Sequence, residues 1–158
     1  MLQQSDADNM RTMPKRLLNP ASIDFPSAGD ARTFEAESLD GRDKFLIDAN
    51  RRGRIRLAKC TYQERHSVVI VLARLDVGGP DHDNPRVDTV PLPNFRQYNG
   101  AAIPCPHLHI YIVGWDIKWA VPAPVDAFPR MSDLALTLSD FMGYCGIADP
   151  PECQAALL

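Results

Sequence analysis

Two segments of the chain have the side-chain pattern that is typical of β-strands. Residues 67–76 (SVVIVLARLD) are β-branched and apolar over most of their length, and residues 107–113 (HLHIYIV) alternate polar with apolar side chains. Three earlier strands are predicted over residues 32–38, 44–48 and 54–62. The pattern therefore predicts a sheet of about five strands.

The last regular element that the pattern indicates is a helix near the end of the chain. Ser132 is a suitable N-cap, and the residues that follow place one apolar stripe at helical spacing. That stripe consists of Leu134, Leu138, Phe141 and Met142. Strands followed by a single helix predict an α+β fold, in which an antiparallel sheet carries the C-terminal helix packed on one face.

The remaining segments are polar and rich in proline. Residues 1–30 lack periodicity and are predicted to form a flexible N-terminal arm. Residues 31–150 are predicted to form a single α+β domain, and residues 151–158 a C-terminal tail. Residues 77–104 are rich in Pro, Asn, Asp and Gly and predict a long loop, which inside a folded domain often serves a function.

Composition and cysteine spacing predict the class of protein and its cellular compartment. Apolar residues make up 45% of the chain and charged residues 23%, with a formal net charge of -3. The four cysteines have irregular spacing, and the sequence has neither an apolar leader nor a run of 18 apolar residues. We therefore expect a cytoplasmic protein with reduced thiols and no membrane partner.

Basic residues are concentrated in one region despite the slightly acidic total. Residues 42–65 contain eight Lys or Arg against three Asp or Glu, an excess of five positive charges. A hairpin at its centre, with Arg51, Arg52, Arg54 and Arg56, is predicted to follow the phosphates of an RNA strand. A solvated basic hairpin without a ligand gives the same pattern.

Alternation predicts that the candidate functional residues share one sheet face. In residues 107–113 the apolar set must face the core, which leaves His107, His109 and Tyr111 on the other side. Burying Ala73 and Leu75 of the preceding strand leaves two more polar side chains, Arg74 and Asp76, opposite the core. If the two strands are neighbours, these residues form one polar site on the exposed face. His82, on the long loop, is expected to approach it.

Metal-free RNA cleavage is the first chemistry that this set of residues suggests. Two histidines can act as general base and general acid near neutral pH, and an arginine can balance the charge of the phosphorane. The predicted catalytic residues are His82, His107, His109, Arg74, Asp76 and Tyr111, with no cofactor. Asp76 would orient a histidine or the arginine.

Metal binding is the alternative. Two histidines separated by one residue on a strand leave from the same face and can chelate a transition metal. The ligands would be His82, His107, His109 and Asp76. Arg74 opposes this interpretation, because it would repel a divalent cation unless Asp76 neutralises it.

The same residues carry a resemblance to a known family. In chain order, the motifs are RLD at residues 74–76, HDNP at 82–85 and PHLH at 106–109. This order resembles the core of TumE-like toxins of bacterial type II toxin–antitoxin pairs, and it also resembles an uncharacterised bacterial family. The upstream segment KCTYQER, which includes Lys59 and Arg65, is similar to the basic and aromatic segment of those toxins.

The resemblance covers about residues 44–120 and implies a RelE-like fold. It further implies an endoribonuclease toxin that is neutralised by a partner antitoxin, with Lys59 and Arg65 among the RNA-binding residues. The chain departs from those toxins in its longer loop after His82 and in its slightly acidic charge. A catalytically inactive phage or mobile-element protein that inhibits a host complex is therefore the alternative function, with Trp115 and Trp119 as contact surface.

Overall fold

A computed structural model describes residues 1–19, 23–52 and 59–155. Its helices are α1 (Gln4–Thr12) and α2 (Leu134–Tyr144), with a 3-10 helix over Pro93–Tyr98. The strands, in chain order, are β1 (Lys15–Leu17), β2 (Asp24–Phe25), β3 (Ala31–Ser38), β4 (Lys44–Asn50), β5 (Cys60–His66), β6 (Ile70–Val77), β7 (His82–Asp83), β8 (Ala102–Ile103), β9 (His107–Ile110), β10 (Ala120–Pro122) and β11 (Gln154–Ala155).

The main sheet is antiparallel throughout, with strand order β1-β3-β4-β5-β6-β9-β10. The predicted α+β class is confirmed, but the described residues form seven strands in this sheet where about five were expected. The two additional strands, β1 and β10, have only three residues each. Elements this short show no readable alternation.

Strand boundaries differ from the prediction where turns intervene. The segment predicted as a strand from residue 67 begins instead with a tight turn, so that β6 starts at Ile70. β9 ends at Ile110, three residues earlier than predicted. Of the strand predicted over residues 54–62, the part before residue 59 lies outside the described residues, and β5 runs on to His66.

Both helices lie on one face of the sheet and enclose the main core. From the sheet, Phe45, Ile47, Tyr62 and Leu75 are almost completely buried; from the helices, Ala7, Leu138, Phe141 and Met142 join them. The Tyr62 hydroxyl donates to the carbonyl of Leu134 at 2.7 Å, which fixes the start of α2 on the sheet. Asp133, one residue after the predicted Ser132, caps this helix by accepting from the Leu136 N–H.

Residues 4–17, which fall within the predicted flexible arm, are ordered by long-range contacts. β1 pairs with β3, and the Lys15 side chain is fully buried with its Nζ 3.0 Å from Oε1 of Glu64. Gly146, just after α2, adopts a positive φ of 83°, and a Cβ there would lie 2.2 Å from the carbonyl oxygen of Met13. The sequence pattern could not show these contacts, because they join residues that are 19 to 133 positions apart.

The described part of the predicted C-terminal tail is also attached to the domain. β11 pairs in parallel with β2. The Cys153 N–H donates to the Ser139 hydroxyl at 3.1 Å, and the Cys153 side chain is buried. Cys60, Cys105, Cys145 and Cys153 are all free thiols. Among the described residues, the helices are too short or too polar to cross a membrane.

The turn between β5 and β6 carries a strained residue. Val68 has a φ of 72° in the left-handed region, and its β-branched side chain is exposed. That conformation costs a non-glycine residue about 1–2 kcal/mol, and glycine would relieve it at a smaller cost in chain entropy. We expect Val68→Gly to stabilise the protein by about 0.5–1 kcal/mol, measured by urea unfolding.

Val69→Gly is the matched control for this prediction. Val69 is the next residue, is also exposed and has no positive φ. Glycine there relieves no strain and adds entropy to the unfolded chain, so it should leave stability unchanged or lower it. Equal effects of the two substitutions would contradict the assignment of strain to Val68.

Candidate functional site

β6 and β9 are adjacent, which is the condition for the predicted site residues to lie together. Their antiparallel register places Arg74 opposite His109, and Asp76 opposite His107. Directly opposed residues project from the same face of a sheet. The four side chains therefore lie together, on the face opposite the helices.

The Asp76 carboxylate is the centre of this group. Its Oδ1 accepts from the Thr61 hydroxyl at 2.6 Å and from Arg74 at 3.1 Å. Its Oδ2 lies 2.9 Å from Nε of Arg74, and 3.5 and 3.4 Å from Nε2 of His107 and His109. Three ligand-type atoms, one carboxylate oxygen and two imidazole nitrogens, all lie within 4.8 Å of one another.

Asp76 is held in its charged form. Burial by itself would raise the pKa of this carboxyl, but the contacts with His107, His109 and Thr61 and the charge of Arg74 outweigh burial and lower it well below the usual range. A permanent carboxylate at this position suits a cation or a protonated histidine as partner.

The site is not on an exposed face, contrary to prediction. Asp76, His107 and His109 are only 8%, 4% and 4% exposed. Loop segments around residues 79–82 and 116–118 cover them and form a cavity of about 550 Å³. The cavity is lined by Lys59, Thr61, Arg74, Asp76, Val77, Gly79, Pro80, Asp81, His82, His107, His109, Asp116, Ile117 and Lys118. Alternation identifies a face, but loop packing determines whether water reaches it.

Two successive backbone carbonyls orient two of the histidines. The carbonyl of Ile117 lies 2.9 Å from Nδ1 of His109, and the carbonyl of Lys118 lies 3.0 Å from Nε2 of His82. A carbonyl can only accept, so these nitrogens carry the protons. In the neutral rings, the lone pairs are then on Nε2 of His109 and Nδ1 of His82.

His82 lies beside the Asp76 group. Its ring centroid is 4.5 Å from that of His109 and 5.8 Å from that of His107. Burial and the neighbouring His109 and His107 lower the pKa of His82, which favours the neutral ring. Its Nε2 is committed to the Lys118 carbonyl, so His82 does not complete the predicted four-residue ligand set through that atom.

His107 has one nitrogen directed at Asp76 and the other buried. Its Nδ1 is shielded from solvent and finds no hydrogen-bond partner among the described residues. Neither His107 nor His109 therefore presents a second, free nitrogen to the cavity. The chemistry of both rings must pass through Nε2, next to Asp76.

Tyr111, a predicted catalytic residue, is not in the site. It is 5% exposed, belongs to the main core, and its hydroxyl donates to the carbonyl of Leu2 at 3.1 Å. A β-bulge opposite Glu64 and Arg65 inserts Leu72 as an extra residue in β6. Tyr111 pairs with Leu72 through its backbone N–H, and both side chains enter the core. The bulge breaks the alternation on which the prediction relied.

The predicted basic hairpin is divided between the two faces of the sheet. Arg51 turns to the core face, where it stacks on Phe25 and donates to the carbonyl of Pro26. Arg65 forms an ion pair with Asp48 at 2.6 Å. Arg52 and Lys59 remain on the cavity side. Arg54 and Arg56 lie outside the described residues.

Two residues that position the site were not predicted from the sequence pattern. Thr61 holds Asp76 through its hydroxyl, and its polar position in the alternating strand β5 is the signal that could have revealed it. Asn84 is 6% exposed; its amide accepts from the Ala120 N–H at 2.7 Å and donates to the carbonyls of Ala120 and Tyr98. It ties the loop that carries His82 to β10.

The tryptophan contact surface predicted for an inhibitor protein is reduced in the structure. Trp119 is completely buried and forms a second, small core with Phe95 and Ile112. This core fills the interior of the predicted long loop over residues 77–104, which contains β7, the 3-10 helix and β8. Trp115 is half-buried against the same cluster.

Comparison with known proteins identifies a family but no characterised relative. Neither the curated proteins nor the solved structures contain a significant match. A family model matches residues 2–147, which include α1, β1 and the whole of the site described above. The chain therefore belongs to a family of unknown function, DUF6978.

Proposed function

We propose that Asp76, His107 and His109 bind a divalent transition-metal ion such as Zn²⁺, and that the chain is a metal-dependent hydrolase. The observation that supports this most directly is the spacing of the three atoms. The two Nε2–Oδ2 distances are 3.5 and 3.4 Å. Two ligand atoms bound about 2.0–2.1 Å from a tetrahedral zinc ion lie about 3.3–3.4 Å apart. A charge-assisted hydrogen bond would be shorter, at about 2.7–2.9 Å.

The surrounding contacts fit this role. The Ile117 carbonyl holds the proton of His109 on Nδ1, so that the lone pair of Nε2 points to the proposed ion. Thr61 and Arg74 hold the Asp76 carboxylate in place. Two neutral histidines and a carboxylate are a frequent ligand set for catalytic zinc or non-haem iron.

Arg74 determines the kind of substrate that the site favours. Its charge cancels that of Asp76, so a bound divalent ion would leave the site with a net positive charge. An anionic substrate would compensate that charge, and the guanidinium is 38% exposed toward the cavity. Arg74 therefore does not exclude a metal ion, and its charge favours an anionic ligand beside that ion.

Three protein ligands leave one coordination position open, as in catalytic zinc sites. An ion held by Asp76, His107 and His109 would lower the pKa of a bound water and would polarise the oxygen of an ester. His82 lies beside the three ligands, and its lowered pKa favours the neutral ring; its Nδ1 has no hydrogen-bond partner among the described residues and can accept a proton. The cavity of about 550 Å³ is large enough for a small substrate segment.

Metal analysis of the purified protein tests the proposal. We expect about one zinc, iron or manganese ion per chain, or uptake of one on titration. Loss of a residue that only hydrogen-bonds to a metal ligand typically weakens metal binding by about 10–100-fold. Asp76→Ala, His107→Ala and His109→Ala each remove a ligand itself, so each should weaken metal binding by more than this. Thr61→Val, which removes only a hydrogen-bonding partner of a ligand, should fall within that range.

His66→Ala is the control, because His66 lies on the same sheet but contacts Asp43 and Phe45 at the far end of β5. Its metal content should equal that of the wild type. Hydrolysis of bis(p-nitrophenyl) phosphate should stop with a chelator and return with the metal. A folded wild-type protein that takes up none of these ions would refute the proposal.

A metal-independent endoribonuclease of the toxin type, the function implied by the TumE-like resemblance, is the second candidate. The features that favour it are the lowered pKa of His82, which suits a general base, and the exposed guanidinium of Arg74. A RelE-like relationship and a partner antitoxin belong to this candidate. RNA cleavage that persists in a chelator and is lost in His82→Ala would favour it over the metal centre.

A further inference from the structure

A second cavity lies on the same face of the sheet, next to the first. It has a volume of about 340 Å³ and is lined in part by polar side chains of β3, β4 and β5. These are Arg32, Thr33, Asp48, Asn50, Thr61, Gln63 and Arg65, together with Arg52 after β4. Thr61 lines both cavities, so the two are adjacent, and the surface that they form together is called the groove below.

Sheet register gives the length of this groove. Asn50 pairs with Thr61, and Thr61 pairs with Asp76, so the two cavities are centred two strands apart. Neighbouring strands are about 4.8 Å apart, which puts the second cavity about 10 Å from Asp76. A ligand that fills both is an extended chain of at least two or three repeating units.

The charges of the groove favour an anionic chain. Asp48 is neutralised by Arg65, and Asp76 by Arg74. The side chains of Arg52, Lys59 and Lys118 line the groove, and none has an ion pair or a side-chain hydrogen bond among the described residues. Asp81 and Asp116 line the first cavity only, and neither has an ion pair among the described residues.

The uncharged side chains of the second cavity are suited to a polymer backbone. Thr33, Asn50, Thr61 and Gln63 offer hydroxyl and amide donors that can contact phosphate and sugar oxygens. The described residues that line this cavity include no aromatic side chain on which a base could stack. Recognition there would thus depend on the backbone of the ligand rather than on its bases.

We propose that the groove binds single-stranded nucleic acid, with one phosphodiester at Asp76, His107 and His109 and the next units in the second cavity. This rests on the proposed function in so far as the phosphodiester in the first cavity is the one hydrolysed. A single strand fits because the three ligands lie at the floor of a cavity and are under 10% exposed. A rigid duplex cannot bend its backbone into such a cavity.

Fluorescence anisotropy with labelled ten-nucleotide probes tests the inference on the full chain. The probes are oligo-uridylate, oligo-thymidylate and a DNA duplex, measured in a chelator so that no cleavage occurs. Both single strands should bind at least 10-fold more tightly than the duplex. Tighter binding of RNA than of DNA would assign a contact to the 2′-hydroxyl, and equal binding would assign recognition to phosphates alone.

Substitutions of single basic residues test whether the nucleic acid binds in the groove. Arg52→Ala and Lys59→Ala should each weaken single-strand binding several-fold and reduce the slope of log affinity against log salt by about 0.7. Arg42→Ala is the matched control, since Arg42 is highly exposed at the opposite end of β4. Equal effects of the three substitutions, or no binding of either single strand at low salt, would overturn the proposal.

Metal content of the same purified protein, measured before the chelator is added, separates the two proposals. A protein that binds metal but no oligonucleotide would refute the groove and leave the metal centre standing. A protein that binds single strands but no metal would refute the metal centre and leave the groove standing.

Discussion

Lys15→Met is expected to lower the free energy of unfolding by about 3–5 kcal/mol, the largest change that we predict for a single residue. Lys15 and Glu64 are both 0% exposed, and their charged atoms are 3.0 Å apart. Lys15 also donates to the carbonyls of Arg11, Met13 and Cys145. Methionine preserves the volume of the side chain but leaves the Glu64 carboxylate buried without a partner. Equilibrium urea unfolding measures the loss.

The double variant Lys15→Met/Glu64→Leu is the control. Replacing both members of a buried ion pair by apolar residues is often nearly neutral, so most of the lost stability should return. A double variant no more stable than the single one would show that the three carbonyl contacts, and not the buried carboxylate, explain the loss.

The loss in Lys15→Met should depend on pH in a defined direction. Burial raises the pKa of Glu64 from 4.5 to about 7 even with Lys15 present. A pKa raised in the folded state means that protonation of Glu64 favours folding: this contribution is complete below pH 4.5 and is lost as the pH rises toward 7. Without Lys15 the pKa rises further, so the variant should lose less stability at pH 5 than at pH 8. A loss independent of pH would contradict this account.

Asn84→Ala is expected to lower the free energy of unfolding by about 3 kcal/mol, because it leaves the N–H and carbonyl of Ala120 without partners in a buried position. Ala120 is 0% exposed and lies in β10, the edge strand of the main sheet. The Asn84 side-chain amide forms hydrogen bonds with both the N–H and the carbonyl of Ala120 at this edge. The same contact holds the loop of His82 next to the Lys118 carbonyl, so the substitution should also displace the His82 ring.

Asn99→Ala is the matched control for this second prediction. Asn99 bridges the N–H and carbonyl of Val87 with the same amide geometry, but it is half-buried and away from the three histidines. We expect a loss of about 1 kcal/mol. The ring-nitrogen NMR signals of His82 should move in Asn84→Ala and not in Asn99→Ala. Unchanged His82 signals in both variants would mean that Asn84 supports only the sheet edge.

Strand periodicity places four of the site residues correctly and misplaces a fifth, for a physical reason. Arg74 and Asp76, like His107 and His109, are two positions apart on a strand, and the period of two places each pair on one face. Adjacency of consecutive strands then brings the pairs together, as β6 and β9 confirm. Tyr111 has the same spacing and fails, because the bulge at Leu72 depends on how β5 and β6 pair.

Sequence pattern by itself determined the α+β class, the position of α2 and the grouping of Arg74, Asp76, His107 and His109. Each follows from a short-range periodicity that the backbone geometry imposes. Tertiary structure alone decided the burial of that group, the orientation of the His109 and His82 rings by the carbonyls of residues 117 and 118, and the anchoring of residues 4–17 through Lys15. These depend on contacts between distant segments, whose energies arise only when the whole chain has folded.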